Sequence, residues 1–183
     1  MRISFLLVPV ILCCLCVVSV TPDSRAQGSS TNGSQTTREY QIKLGFLYNF
    51  IKYVDWPASK TNVTIGVLGK NPFGATLAEL NGKVANGKIL SVRNVSSIQD
   101  ARNVDCLFIG ASETDHLRQI IDSLKGQSVL TVGEVSGFCQ NSGIINFTNE
   151  GNKIRFQINP DAAERAGLKM SSNLLRLAKV VRE

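Results

Sequence analysis

Apolar side chains recur at helical spacing between Tyr40 and Val54. On a wheel, Tyr40, Ile42, Leu44, Phe46, Leu47, Phe50, Ile51, Tyr53 and Val54 cover an arc of roughly 200°. Residues 38–54 are therefore predicted to form a helix, ended by Pro57 with Trp56 just before it. An arc this wide exceeds the stripe that one sheet face requires. It predicts either a helix held between the sheet and other helices or one that presents a surface to a partner. Gly45 costs a helix about 1 kcal/mol against alanine, and its expected use is the close approach of another backbone.

Downstream, apolar runs at 63–69, 88–95, 106–109 and 128–132 predict strands. Helical stretches separate them, at about 74–80, 97–102 and 113–125, the last ended by Gly126. Cys106-Leu107-Phe108-Ile109 is apolar throughout, the pattern of a strand buried on both faces. Strands alternating with helical crossovers predict a parallel sheet. The pattern changes after Gly143. Alternating strands at 144–148 and 153–158 flank Asn149-Glu150-Gly151-Asn152, which predicts an antiparallel hairpin. Asn159-Pro160 starts a helix with proline at its first position, and Gly167 breaks it. Ser171 or Ser172 caps a last helix with Leu174, Leu177, Ala178 and Val181 on one face. The expected fold class is α/β: a single domain, a mixed sheet with parallel strands first and a C-terminal β-hairpin, and helices on both faces.

The amino end follows a different rule. Residues 3–20 carry no charge, Arg2 precedes them and Ser24-Arg25-Ala26 follows. This predicts a cleaved signal peptide at 1–26, with a retained anchor as the alternative. Leu12 and Leu15 precede Cys13 and Cys16 where a lipoprotein site needs a small residue, and Cys14 follows another cysteine. Residues 27–37 are all polar or glycine and predict a flexible tether. The folded domain is then 38–183, placed outside the cytoplasm and away from nucleotide-driven chemistry.

The formal net charge is +6. The basic residues are scattered, and the densest group is Lys169, Arg176, Lys179 and Arg182. That reads as solubility, with a weak role beside an anionic membrane as the alternative, and not as a nucleic-acid surface. Two cysteines remain after processing, Cys106 and Cys139, a number that suits one disulfide in an oxidising compartment. Strand placement argues against that bridge, with the two at opposite ends of the sheet and beyond the roughly 7 Å Cα limit. One histidine, His116, makes a histidine metal site an unsuitable reading.

Candidate catalytic patterns are weak. The segment 66–74 lacks both the Walker and the dinucleotide glycine spacing, and reads as a strand-to-helix turn whose free N–H groups offer at most an anion site. Ser112 and His116, four apart, lack an orienting acid and an oxyanion hole. Glu134 and Asp105 flank different strands and form no visible pair. Asn-x-Ser/Thr sequons begin at Asn32, Asn62, Asn94 and Asn146 and matter only in a glycosylating host.

Several stretches together resemble the YfiR family of exported bacterial proteins. They are Lys43-Leu44-Gly45-Phe46-Leu47-Tyr48-Asn49-Phe50 running on to Asp55-Trp56-Pro57, then Ile65-Gly66-Val67-Leu68-Gly69 with Pro72-Phe73-Gly74. Cys106-Leu107-Phe108-Ile109, Gly137-Phe138-Cys139 and Gly143-Ile144-Ile145-Asn146-Phe147 follow. The last is Ile158-Asn159 through Ala166-Gly167-Leu168-Lys169-Met170-Ser171-Ser172-Asn173-Leu174-Leu175-Arg176-Leu177-Ala178. The resemblance implies a periplasmic, non-enzymatic α/β protein that forms a homodimer, and no cofactor or metal is expected. It also implies a partner, the periplasmic part of an inner-membrane diguanylate cyclase whose cyclic-di-GMP output it restrains, and an outer-membrane lipoprotein that relieves the restraint. The best-studied member pairs the Cys106 position with a strand-one cysteine and the Cys139 position with one near Asn146. Ile65, Val67, Leu68 and Asn146 stand at those places here, so both bonds lose a partner.

The expected contact residues are Phe46, Phe50, Tyr53 and Trp56 on the first helix, and Lys169, Ser171, Ser172 and Arg176 near the end. Trp56 as a plug of the domain's own core is the alternative. Two functions follow: a regulatory protein acting by contact, or a carrier or sensor of a small ligand bound at the ends of the parallel strands.

Overall fold

In the computed structural model, which describes residues 30–57 and 59–182, helix α1 spans Ser30–Lys52. It starts eight residues before the predicted Arg38, so the described part of the expected tether, 30–37, is helical. The side chains of 33–38 are exposed, and an apolar pattern cannot report a turn that buries nothing. Thr37 donates to the Gly33 carbonyl at 2.9 Å, a local bond that gives a polar side chain a place in a helix. The predicted signal peptide lies outside the described residues. Among those described, no helix is long and apolar enough to cross a membrane.

The other end of α1 also differs. The helix stops at Lys52, and Val54–Asp55 forms a short strand, β1. Then come β2 (Asn62–Leu68), a 3-10 segment at Gly74–Leu80, β3 (Val84–Ala85) and β4 (Lys88–Val95). Helix α2 (Ile98–Ala101) leads to β5 (Cys106–Ile109), and the 3-10 segment Ala111–His116 runs into α3 (Leu117–Ser123). Strand β6 (Leu130–Gly133) precedes the hairpin of β7 (Ile145–Glu150) and β8 (Lys153–Ile158). The chain ends with α4 (Pro160–Arg165), β9 (Lys169–Met170), α5 (Ser172–Leu177) and β10 (Lys179–Val180).

Eight strands form one mixed sheet in the order β10-β8-β7-β6-β5-β2-β4-β3. From β4 through β7 all neighbours are parallel. Strand β8 is antiparallel to β7, as the alternating hairpin pattern predicts. Gly151, at φ +59° and first in the two-residue turn, supplies the backbone that a type II′ hairpin needs. The edge strands β3 and β10 were not predicted. Two residues are too few to show a period.

The sheet separates two cores. Cys106 and Phe108 of β5 face a core shared with α1, α4 and α5, while Leu107 and Ile109 face one shared with α2 and α3. Adjacent strand residues point to opposite faces, so an unbroken apolar run is what a strand between two cores requires. The caps follow the sequence: the Asn159 side chain accepts from the Ala162 N–H at 2.8 Å, and Ser171 Oγ accepts from the Leu174 N–H at 3.2 Å. The last helix is shorter than predicted. It ends at Leu177, which is 72% exposed, and the chain then extends to pair β10 with β8 in parallel. Of its four predicted inward residues only Leu174 is buried.

Gly45 is a further correction. It lies on the exposed side of α1, and a Cβ there would meet nothing within 4 Å. Among the described residues, no other backbone approaches it.

Candidate functional site

Strands β1 and β9 form a two-stranded antiparallel clip, with Val54 opposite Met170 and Asp55 opposite Lys169. The Ser171 N–H extends it by donating to the Tyr53 carbonyl at 3.0 Å. The clip joins the two segments that the sequence nominated separately. Tyr53 is 37% exposed, Lys169, Ser172 and Arg176 are exposed, and Ser171 is half-buried. The Lys52 ammonium stands 5.4 Å from the Tyr53 ring centroid, and Arg176 donates to the Asn173 side chain. A groove of about 390 Å³ opens beside Lys169, lined also by Pro160, Glu164, Leu168, Met170 and Leu175. Sequence reasoning missed the exposure of Leu177 and Val180 in the same stretch, because it placed 177 on a buried helix face and read no strand at 179–180.

Two nominated residues do not belong to an exposed surface. Phe50 is fully buried and Trp56 is 7% exposed. The Trp56 indole N–H donates to the Ile51 carbonyl at 3.0 Å, so both its apolar body and its polar edge are satisfied within its own domain. Trp56 is a core plug. Phe46 is half-buried, with ring centroids 5.6 Å from Phe156, 6.1 Å from Phe50 and 6.2 Å from Phe147. The wide apolar arc of α1 is largely absorbed by these aromatics of the hairpin. A wheel counts apolar positions on a helix but not the side chains that will cover them.

A polar cluster under α1 was not anticipated. Lys43 is 4% exposed, and its ammonium lies 2.8 Å from Glu134 and 2.5 Å from Glu39. Tyr40 donates to the other Glu134 oxygen at 2.9 Å, and the Lys43 ammonium is 4.5 Å from the Tyr40 ring centroid. The hydrogen bond from Lys43 holds the Glu39 carboxyl below its ordinary value. Burial, then the neighbouring Glu134 carboxylate, pushes the Tyr40 phenol up. A phenol so raised stays protonated and donating. The cluster therefore fastens α1 to the carboxyl end of β6, where Glu134 follows Gly133. Its only sequence signal is one lysine inside an otherwise apolar helical stripe.

The parallel strands run β4-β2-β5-β6-β7 in space, so the winding reverses between β2 and β5. The expected ligand crevice of such a sheet lies there, at the carboxyl ends. It is occupied by the chain itself. Ser112 Oγ accepts from the Lys70 N–H at 2.9 Å, and a Cβ on Gly69 would come within 2.7 Å of Glu113. A Cβ on Gly110 would be 2.8 Å from the Lys70 carbonyl. Ser112 thus ties two loops, and His116 is an exposed side chain 3.8 Å from Glu113. At the start of the next segment, Asn71 accepts from the Phe73 N–H at 2.9 Å, an Asx turn and not an anion cradle.

Among the described residues the cysteines are Cys106 and Cys139, both free and buried. Burial pushes the Cys106 thiol up, and the Cys139 thiol up to about 12. Asn146, at the place where the resemblance puts a cysteine, is buried and clamps Val135: it accepts from the Val135 N–H at 3.1 Å and donates to the Val135 carbonyl at 2.9 Å. The sequon that begins there is therefore part of the core.

The sequence pattern of the YfiR/HmsC-like family matches residues 40–179. The chain belongs to this family. The match begins inside α1 and ends at the first residue of β10, so it takes in both halves of the β1–β9 clip, Tyr40, Lys43 and Glu134 of the polar cluster, and the sheet up to Lys179. Solved structures resemble it more distantly. A conserved domain protein from Vibrio cholerae O1 biovar El Tor superposes with a TM-score of 0.55 at 11% identity, over 79% of this chain and 60% of that one. The ABC domain from Streptococcus pneumoniae, solved in complex with L-Trp, gives a TM-score of 0.53 at 13% identity, over 75% of this chain and 60% of that one. This YfiR/HmsC-like chain spans about three fifths of the length of either. At such identities the likeness is one of fold.

Proposed function

We propose that this chain is a periplasmic, non-catalytic regulator of cyclic-di-GMP signalling that works by protein contact. Its target is the periplasmic part of an inner-membrane diguanylate cyclase or a related sensor, which it restrains. An outer-membrane lipoprotein that sequesters the chain relieves that restraint, and the working form is a homodimer. The observation that carries the reading is membership of the YfiR/HmsC-like family across 40–179. The contact surface is centred on the β1–β9 clip, with Tyr53, Lys169, Ser172 and Arg176 at its exposed side. Leu177 and Val180 add exposed apolar area, which suits an interface in which apolar contact is rimmed by charge.

The test has a cellular and a biochemical arm. Deleting the protein is expected to raise cyclic-di-GMP, and restoring an exported copy to lower it again. From detergent-solubilised membranes the chain is expected to retain a diguanylate cyclase. The double variant Lys169→Glu, Arg176→Glu is expected to lose that retention while unfolding with an unchanged midpoint. Unaltered cyclic-di-GMP in the deletion strain would sink the reading.

A further inference from the structure

A groove of about 650 Å³ lies between the first half of α1 and the arm formed by β7 and β8. Ile42, Phe46 and Ile154 line it, and Ile42 is 46% exposed. Three cations share the same groove: Arg38, Lys153 and Arg155. Among the described residues, neither Arg38 nor Lys153 forms an ion pair. Arg155 has Glu150 at 3.9 Å, too long for a hydrogen bond. The one acid of the lining, Glu39, is turned to Lys43 at 2.5 Å, an ammonium it shares with Glu134, and three cations outnumber it in the groove. The groove thus combines open apolar surface with two cations, Arg38 and Lys153, that no ion pair matches among the described residues.

The backbone beside it is also open. Strand β10 pairs only with Gln157 and Ile158 of β8, so residues 153–156 have no strand beyond them among the described residues. Glu150 and Lys153 close a two-residue turn. In the alternation that follows, the N–H and C=O of Ile154 point away from β7, toward that open edge.

We propose that this groove docks an acidic, extended segment of a partner protein, laid along β8. Its carboxylates meet Arg38, Lys153 and Arg155, and its alternate apolar side chains cover Ile42 and Ile154. This is strand addition with charge selecting the partner. The proposal rests on the protein-contact reading above and gives it a second surface, on the opposite half of α1 from the clip. Charge and shape reject other occupants. Residues 1–29 of the chain carry Arg2 and Arg25 against Asp23, so they bring no net negative charge. A second copy carries the same +6. A flat bilayer reaches the rim of a groove but not its floor.

The probe is a fluorescent eight-residue peptide of alternating glutamate and valine, compared with its lysine–valine counterpart, binding the full chain in an anisotropy titration. The acidic peptide is expected to bind and the basic one not. Arg38→Glu with Lys153→Glu, and separately Ile42→Ser, are each expected to weaken binding by about tenfold or more, with the thermal midpoint unchanged. Added salt is expected to weaken it further. Equal binding of the two peptides, or reversal without loss, overturns the proposal. Retention by phosphatidylglycerol vesicles, lost on the same reversal while the acidic peptide fails to bind, overturns it in favour of a membrane surface. A dimer that dissociates on the reversal, again without peptide binding, overturns it in favour of a second copy. The peptide result is independent of cyclic-di-GMP, so a deletion strain with unaltered cyclic-di-GMP removes the regulatory reading and leaves the groove to be judged by its own titration.

Discussion

Lys43 sits beneath α1 with two carboxylates and a phenol ring around it. Removing one partner of a buried pair leaves a charge without compensation, which costs about 3–5 kcal/mol. Glu39 remains in Glu134→Ala, so about 3 kcal/mol is expected there, read as a lower urea midpoint. A change under about 1 kcal/mol would mean that the cluster behaves as an exposed ion pair does. Trp56→Ala is expected to cost about 3–5 kcal/mol of folding stability, and not to act selectively on association. Phe138 packs where two glycines leave room: a Cβ on Gly143 would come 2.2 Å from its ring, and one on Gly133 2.4 Å. Gly143→Ala is expected to cost about 1–3 kcal/mol, and Phe138→Leu in the same chain to return part of it. At this scale residue identity was legible and its environment was not. The lysine in the apolar stripe was visible, but Glu134, 91 positions away, could be assigned to it only by the fold.

Elements whose burial is periodic were legible. Strands β4, β5 and β8 lie where the apolar pattern put them; β5 is buried on both faces and β8 alternates between two. The ends of α1 were not legible. Its first turns are polar and exposed, and its last predicted turn is drawn into β1 by hydrogen bonds to β9. The end of α5 failed for the same reason, since pairing with β8 outweighs helix continuation past Leu177. Ser171 stands at this junction, with its N–H in the clip and its hydroxyl capping α5. Ser171→Ala keeps the first bond and loses the second, so a loss of about 1 kcal/mol is expected. Faster hydrogen exchange at the Leu174 amide is the specific readout. Unchanged exchange there would count against the cap.

For the whole molecule, the buried thiols and Tyr40 set the alkaline limit. Their folded-state pKa values are raised, so the unfolded chain releases these protons first. The stability they contribute is complete below the unfolded thiol value, about 8.5, and falls as pH rises above it. Each thiol adds a slope of up to about 1.4 kcal/mol per pH unit. Urea midpoints from pH 7 to 10 are expected to decline, and Cys106→Ala to flatten the decline. Glu39 acts in the opposite sense: its lowered value makes its contribution present above the ordinary carboxylate range and lost as pH falls. In native chain at pH 8 Cys106 and Cys139 are expected to resist iodoacetamide, and both to react after denaturation. Ready alkylation of the native chain would contradict their burial.

From sequence alone came the α/β class, the change from parallel strands to a hairpin, the cap at Asn159, a second cap at Ser171 or Ser172, and the family. These depend on local periodicity, on turn chemistry and on motifs in order, all written along the chain. Tertiary structure decided that Trp56 and Phe50 are core, that Tyr53 and Lys169 are neighbours, that α1 meets Glu134, and that three cations converge on one groove. Each of these joins residues distant in sequence. A solvent-facing and a partner-facing apolar side chain have the same periodicity, and only the packed neighbours separate them.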